Sequence, residues 1–322
     1  MKSILLVVIL FNWFNVSCQK DTLIHYFEDR LEKSLKTLRS SISDEDRRNA
    51  NNTFRVQLLE TIQYSESFLY LFPKLSTLGA IISPDKSLKI YSWNVEMSDK
   101  SNKFYCFVVR PGKRRKKNKV VELIEKSELT RENQTYSELN WYGCLYYKII
   151  PIKKGTKKLY TLLGWRNNGT LSNLKVIDVL SLSGNHAKLG DPIFQSKKTM
   201  DKRVILEYSI KSSMTLRFEG NYSRIVFDHL SPENPSMNGF YEYYVPDMSY
   251  DAYEFNDGKW ILNEDVVTVN NPEKKTYSKI IIDPLTGEEQ KEEVENKWID
   301  PSDYNAPGGI NKHTPSLPKQ KK

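Results

Sequence analysis

Asp228-His229 is the one place in this 322-residue chain where an acid and a histidine stand side by side. An Asp that orients a His is the skeleton of general-base and metal chemistry. Neighbouring residues on a strand point to opposite faces, so these two side chains are poorly placed to bond each other. The expectation is structural: Asp228 caps the turn Leu230-Ser231-Pro232-Glu233 at a strand end, and His229 packs beside Pro232. Asp247, Asp251, Glu254 and Asp257 form an acidic, tyrosine-rich stretch. Clustered carboxylates suit calcium, but this spacing matches no calcium loop, and surface turns are expected instead. Trp93, Trp141 and Trp165 would make a sugar-stacking platform if they converged; as strand residues they are expected in the core. A phosphate-binding glycine loop, Gly-x-Ser-x-Gly, His-Glu-x-x-His and paired metal cysteines are all missing from the sequence, which holds four histidines. No catalytic residue, metal or cofactor is assigned.

Charge gives a second candidate. The formal net charge is +8, and Lys113, Arg114, Arg115, Lys116, Lys117 and Lys119 follow one another closely after Pro111-Gly112. The basic character is therefore one local feature and no sign of nucleic-acid binding by the whole domain. Between two strands such a run reads as a solvated hairpin tip, charged against edge-to-edge pairing. Its functional reading is contact with anionic envelope groups such as lipid phosphates. Cys106 and Cys144 both fall in apparent strands; they either pair or stay as two buried free thiols, and the free thiols are preferred.

Hydrophobic residues at 39% and charged residues at 27% describe a globular chain rather than a disordered one. Leu23, Phe27, Leu31, Leu35 and Leu38 recur at helical spacing, and Ser43-Asp44-Glu45-Asp46 offers a cap for a second helix. Phe54, Leu58, Leu59, Ile62, Phe68 and Leu71 carry that helix to Pro73. Residues 21–72 thus read as a helical hairpin. From residue 79 the texture changes to period-two strands: 88–93, 103–110, 119–125, 141–150, 158–165, 173–182, 202–210, 213–219, 222–228, 250–256 and 259–264. Asn256-Asp257-Gly258 marks a tight hairpin, and Asn167-Asn168-Gly169 ends another strand. The fold class is α+β, mainly β: an N-terminal helical hairpin, then an antiparallel meander built as a sandwich, barrel or propeller-like array. The segments are 1–18 (leader), 19–78 (helical), 79–270 (β domain) and 271–322, a charged, Pro- and Gly-containing tail with one hairpin around Asp283-Pro284-Leu285-Thr286-Gly287.

Lys2, the apolar run Ile4–Phe11 and the polar close Asn15-Val16-Ser17-Cys18 have the form of a secretory signal, too short to span a bilayer. Two exits compete: acylation of Cys18 as a lipoprotein, or ordinary cleavage before Gln19. Under the first, Gln19-Lys20-Asp21 resembles the Lys/acidic signal that directs some Bacteroidota lipoproteins to the cell surface. An exported protein in the periplasm or on the outer membrane is expected, with no transmembrane segment after the leader.

The stretches Trp141-Tyr142-Gly143-Cys144-Leu145-Tyr146-Tyr147-Lys148-Ile149-Ile150 and Tyr160-Thr161-Leu162-Leu163-Gly164-Trp165 resemble a family of uncharacterised exported proteins of Bacteroidota. So do Arg203–Ser209, Ile225-Val226-Phe227-Asp228-His229-Leu230-Ser231-Pro232 and Pro246–Asp251. The likeness spans about 85–265 and implies an address without an activity. Arg166 stands where the family pattern leads one to expect an acid. The function expected is a non-catalytic binding or scaffolding role in the cell envelope. The alternative is a carboxylate-dependent hydrolase of envelope glycans or peptides, which needs two carboxylates facing each other across a cleft.

Overall fold

A computed structural model describes residues 23–112, 116–126 and 132–267, together with the backbone of 276–282 and 289–295. Two helices lead: α1 over residues 23–40 and α2 over Asp44–Ile62. Ser43 caps α2, its Oγ accepting the Asp46 N–H at 3.1 Å. Phe27, Leu31, Leu35 and Leu38 are buried as their spacing requires. Leu23 is exposed and Ile24 takes its place, because 24 continues the stripe through 27 and 31 while 23 lies one step off it. α2 also ends sooner than its apolar residues suggest. Asn118, arriving from between two strands, donates to the carbonyls of Ile62 (3.0 Å) and Tyr64 (2.6 Å) and closes the helix there. A 3-10 turn, Ser65–Ser67, follows, Phe68 and Phe72 stay buried, and Leu71 points outward.

The described strands between Gly79 and Asn263 form three sheets. The first is β1 (Gly79–Ile82), β2 (Lys89–Glu96), β3 (Asn102–Arg110) and β4 (Lys119–Leu123), antiparallel in chain order. The second contains β5 (Tyr136–Ser137), β6 (Leu145–Lys154), β7 (Lys157–Asn168), β8 (Ser172–Ser183) and β9 (His186–Leu189), in the order β5-β9-β8-β7-β6. β10 (Phe194–Gln195) and β11 (Met200–Asp201) belong to the third sheet, and β12 (Val204–Ser209) returns to pair with β8. β13 (Leu216–Glu219), β14 (Arg224–Pro232), β15 (Tyr244–Asn256) and β16 (Lys259–Asn263) complete the third sheet, ordered β11-β10-β16-β15-β14-β13. Among the described strands one pairing, β10 with β16, is parallel, a departure from a pure meander made by the two short strands that lie between β9 and β12 in the chain.

Alternation along the strands stacks these layers. Tyr91, Trp93, Val95 and Phe107 of the first sheet pack under the helices with Phe54, Leu58 and Ile62. Ile90, Phe104 and Val108 face the second sheet, meeting Tyr146, Leu162 and Val176. The other face of the second sheet, Ile150, Leu163, Ile177 and Val179, packs on Ile225, Phe227, Tyr253 and Trp260 of the third. The second sheet is thus covered on both sides, which is why Val176–Leu180 is buried without interruption. Each large side chain so enclosed contributes about 1.5–3 kcal/mol. The strand expected over 141–150 begins only at Leu145, since Gly143 (φ 79°) takes a left-handed conformation that breaks the extension. Trp93 and Trp141 lie in two different cores and Trp165 is half-exposed on β7, so the three indoles form no platform.

One charged pair lies inside this stack. Arg203 and Asp178 are both fully buried. Arg203 donates from Nε (3.0 Å) and Nη2 (2.9 Å) to Asp178 Oδ2, and from Nη1 to the Gln134 carbonyl at 2.6 Å. Tyr142 adds its hydroxyl to the same Oδ2 at 2.7 Å, and its ring lies under the guanidinium. Burial pushes the Asp178 carboxyl up, while Arg203 and these donors pull the other way. Cys106 and Cys144 are free thiols in the same core, both raised by burial.

The chain divides into two compact units, Met1–Val267 and Thr268–Lys322. In the second, β17 (Thr276–Ile282) and β18 (Glu289–Glu295) pair antiparallel on either side of the expected turn. The expected leader with Cys18, and the tail expected from Asp300 on, lie outside the described residues.

Candidate functional site

Turns from all three sheets of the first unit meet at one end. β2 and β3 pair Lys89 with Val109, and β3 and β4 pair Arg110 with Lys119, so the β1–β2 and β3–β4 turns share that end of the first sheet. Arg110 Nη2 donates to the Gly184 carbonyl, joining the β8–β9 turn to them. Lys158, just past the β6–β7 turn, pairs with Asp85 of the β1–β2 turn at 2.6 Å and donates to Ser87 Oγ at 2.9 Å. On the other side, Lys154 pairs with Asp191 at 2.5 Å, and a Cβ on Gly258 would come within 3.3 Å of Lys154 Cα, so the β15–β16 turn lies against it. Asp257 (φ 43°) and Gly258 (φ 77°) give that turn the left-handed pair its sequence demands.

The result is a strongly basic surface. Of the expected basic run, Lys116, Lys117 and Lys119 are exposed at the β3–β4 turn, and residues 113–115 lie outside the described residues. Lys86, Lys153, Lys157, Lys188 and Lys259 project from the other turns and are exposed too. Asp85 brings no free negative charge: partial burial raises its carboxyl, but hydrogen bonds from Lys158, Ser83 and Ser87 together hold it below the usual range. The sequence showed the run at 113–119; it did not show that four further turns, scattered over more than a hundred residues, add lysines beside it. Lysines flanking Gly155 and Gly258 were the available signal.

Asp228 and His229 sit elsewhere, on the third sheet, and are separated as alternation requires. The turn expected after Asp228 is not there, because β14 runs on to Pro232 through an irregular register in which Asp228 faces Tyr250 and Leu230 faces Pro246. Asp228 instead clasps the preceding segment: its Oδ2 accepts the Thr215 N–H at 2.7 Å, and its own N–H donates to the Thr215 carbonyl at 3.2 Å. His229 pairs not with Pro232 but with Asp251, Nδ1 to Oδ2 at 2.8 Å. This diagonal cross-strand pair was hidden from sequence because it depends on the hairpin register. Hydrogen bonding to Asp251 raises the His229 imidazole above its ordinary value, helped by Asp247 and Asp265 nearby and opposed by partial burial.

The acidic stretch has local duties. Asp251 Oδ1 also accepts the Asp265 N–H at 3.2 Å. Asp247 accepts from Ser231 Oγ (2.7 Å), Ser249 Oγ (2.7 Å) and Ser249 N–H (3.1 Å), pinning the irregular segment of β15. Partial burial raises the Asp247 carboxyl, but these bonds outweigh that and hold it low, the wrong direction for a general acid. Asp257 and Glu254 are exposed on the β15–β16 hairpin. Among the described residues no three His, Cys, Asp or Glu side chains are grouped to hold a metal ion. Arg166 spans back to the Tyr142 carbonyl and lies over the Phe104 ring at 5.5 Å, a packing role. No family model, curated protein or solved structure matches the chain.

Proposed function

We propose that this is an exported, non-catalytic binding protein of the cell envelope, whose basic end holds it against anionic envelope groups such as lipid phosphates. The observation that carries the reading is the convergence of five turns from three sheets on one lysine-rich surface. None of Lys86, Lys116, Lys117, Lys153, Lys157 and Lys259 has an ion-pair partner among the described residues, so their charge is available to a partner. Each lysine near an anionic bilayer contributes about 1 kcal/mol, so several acting together give firm, salt-sensitive attachment. Vesicle pelleting tests it. The protein should sediment with phosphatidylglycerol-containing vesicles, stay in solution with phosphatidylcholine alone, and be released in about 1 M salt, where the Debye length falls to about 3 Å. Equal sedimentation with both vesicle types would end the proposal. Export is part of the same reading and rests on the leader-like residues 1–18. The mass of the protein recovered from cells should show an acylated Cys18 or a start at Gln19; a mature chain that keeps Met1 would overturn it.

A further inference from the structure

The same end carries a cleft of about 480 Å³ between the second and third sheets. That volume lies within the span of small-molecule sites, about 300–1,000 Å³. One wall is Ile150 and Ile152, from β6, the edge strand of its sheet. Opposite stand Phe218, Phe255 and Trp260. Phe218 and Trp260 sit on strands three places apart, which a flat sheet would hold about 14 Å from each other. Their ring centroids are 6.4 Å apart, edge to face, and Phe255 stacks obliquely on Trp260 at 4.9 Å. The third sheet therefore curls, and its concave, aromatic face is offered to the edge of β6. Trp260 is held by a hydrogen bond from its Nε1 to Thr161 Oγ1, 2.9 Å long, so the floor of the cleft is fixed before any ligand arrives.

The mouth has the opposite character. Lys153 and Lys158 stand there, with Asp85 the sole acid among the described residues that line the cleft, and that acid is already bonded to Lys158 and two serines. Lys153 is exposed and has no ion-pair partner among the described residues. An apolar aromatic trough that opens onto uncompensated positive charge is complementary to one chemistry: a hydrocarbon body that ends in an anion. We infer that this cleft binds a single-chain amphiphile, its chain against Ile152, Phe255 and Trp260 and its anionic head, a carboxylate or a phosphate monoester, at Lys153.

The inference rests on reading this end as an anion-binding surface, but it makes a separate demand. The full chain is titrated with 9,10-dibromostearate below its critical micelle concentration, with Trp fluorescence as readout and plain stearate as the unbrominated control. Saturable quenching by the brominated acid alone is expected, with a 1:1 adduct in native mass spectrometry. Trp260→Phe, which removes the reporting indole, should abolish the quenching. Lys153→Glu, an exposed change with little risk to folding, should weaken binding about tenfold, equivalent to about 1.4 kcal/mol. The methyl ester of the same acid should bind as weakly as the acid binds that variant. Displacement by dodecanoate against dodecyl phosphate then identifies which head is preferred. Absence of quenching, quenching that survives Trp260→Phe, or ester and acid binding alike overturns the inference. If vesicles fail to bind while Trp260 is quenched, the membrane reading falls and the cleft stands. If vesicles bind and Trp260 is not quenched, the cleft falls and the membrane reading stands.

Discussion

Two carboxylate-to-base pairs in this protein use nearly the same chemistry at very different depths. Asp178–Arg203 lies between the first and second sheets, with both side chains wholly enclosed. His229–Asp251 lies on the third sheet, with the imidazole side chain 43% exposed. The inner pair is surrounded by partners, from the Tyr142 hydroxyl and the Val179 N–H to the Gln134 carbonyl. The outer pair has its own bond, the Asp265 N–H on Asp251 Oδ1, and an open face. Residue type therefore does not decide whether a charge is structural; the number of layers around it does. A buried ion has to be paired and bonded, or the stack fails. An exposed one stays free to titrate.

Breaking the inner pair should give the largest effect. Arg203→Met leaves Asp178 uncompensated in the core and should lower stability by about 3–5 kcal/mol. Urea denaturation at neutral pH measures it. Adding Asp178→Leu to that variant should recover much of the loss, because the stranded charge is then gone. A single variant within about 1 kcal/mol of the parent protein would show that water or a rearranged partner reaches Asp178, and the contrast between the two pairs would weaken.

Asp228→Ala should come next. Asp228 is nearly buried, and its Oδ2 satisfies the Thr215 N–H at the entrance to β13. Removing a buried hydrogen-bond partner costs about 1–3 kcal/mol, so the melting temperature should fall. Asp228→Asn keeps an acceptor at the same place and should lose less. Equal losses in the two variants would mean that charge, not the hydrogen bond, is what Thr215 needs.

Much of this architecture was legible in the residues. The helical stripes, the Ser43 cap, the period-two strands and the Asn256-Asp257-Gly258 hairpin are local signals, each set by backbone geometry within a few residues. What escaped was long-range. Asn118 ends α2 from 56 residues away. His229 reaches Asp251, 22 residues further along the chain, across a hairpin. Asp178 carried a partial signal, a lone acid inside Val176-Ile177-Asp178-Val179-Leu180, but nothing nearby named Arg203 as its partner. Lys89 is similar: a buried lysine between Leu88 and Ile90, it donates to the Ser67 (3.3 Å) and Tyr70 (2.6 Å) carbonyls, and burial pushes its ammonium down to about 8. The basic end was half visible, as one run, because lysines on separate hairpins become neighbours only once the three sheets are stacked.

The smallest expected effect belongs to the outer pair, and its sign is fixed by linkage. The His229 imidazole is raised above the ordinary 6.5, chiefly by its bond to Asp251. Folding therefore takes up a proton at pH values where the unfolded chain has already lost it. The stability this contributes is full below pH 6.5 and is lost as pH rises through the folded-state value. With the ring so exposed, solvent screening keeps the contribution to about 1 kcal/mol or less. Asp251→Asn removes the charge that favours the imidazolium, so the ring should titrate lower and the pH dependence should flatten. Proton NMR of the four histidine rings resolves this, with His229→Gln identifying the signal that disappears. A parent signal that titrates at or below 6.5 would contradict the pairing. A midpoint unmoved in Asp251→Asn would assign the shift to Asp247 and Asp265 instead. A downward shift with a nearly constant melting temperature is the result that separates the outer pair from the inner one, since the same substitution at Asp178 removes the charge opposite a fully buried Arg203.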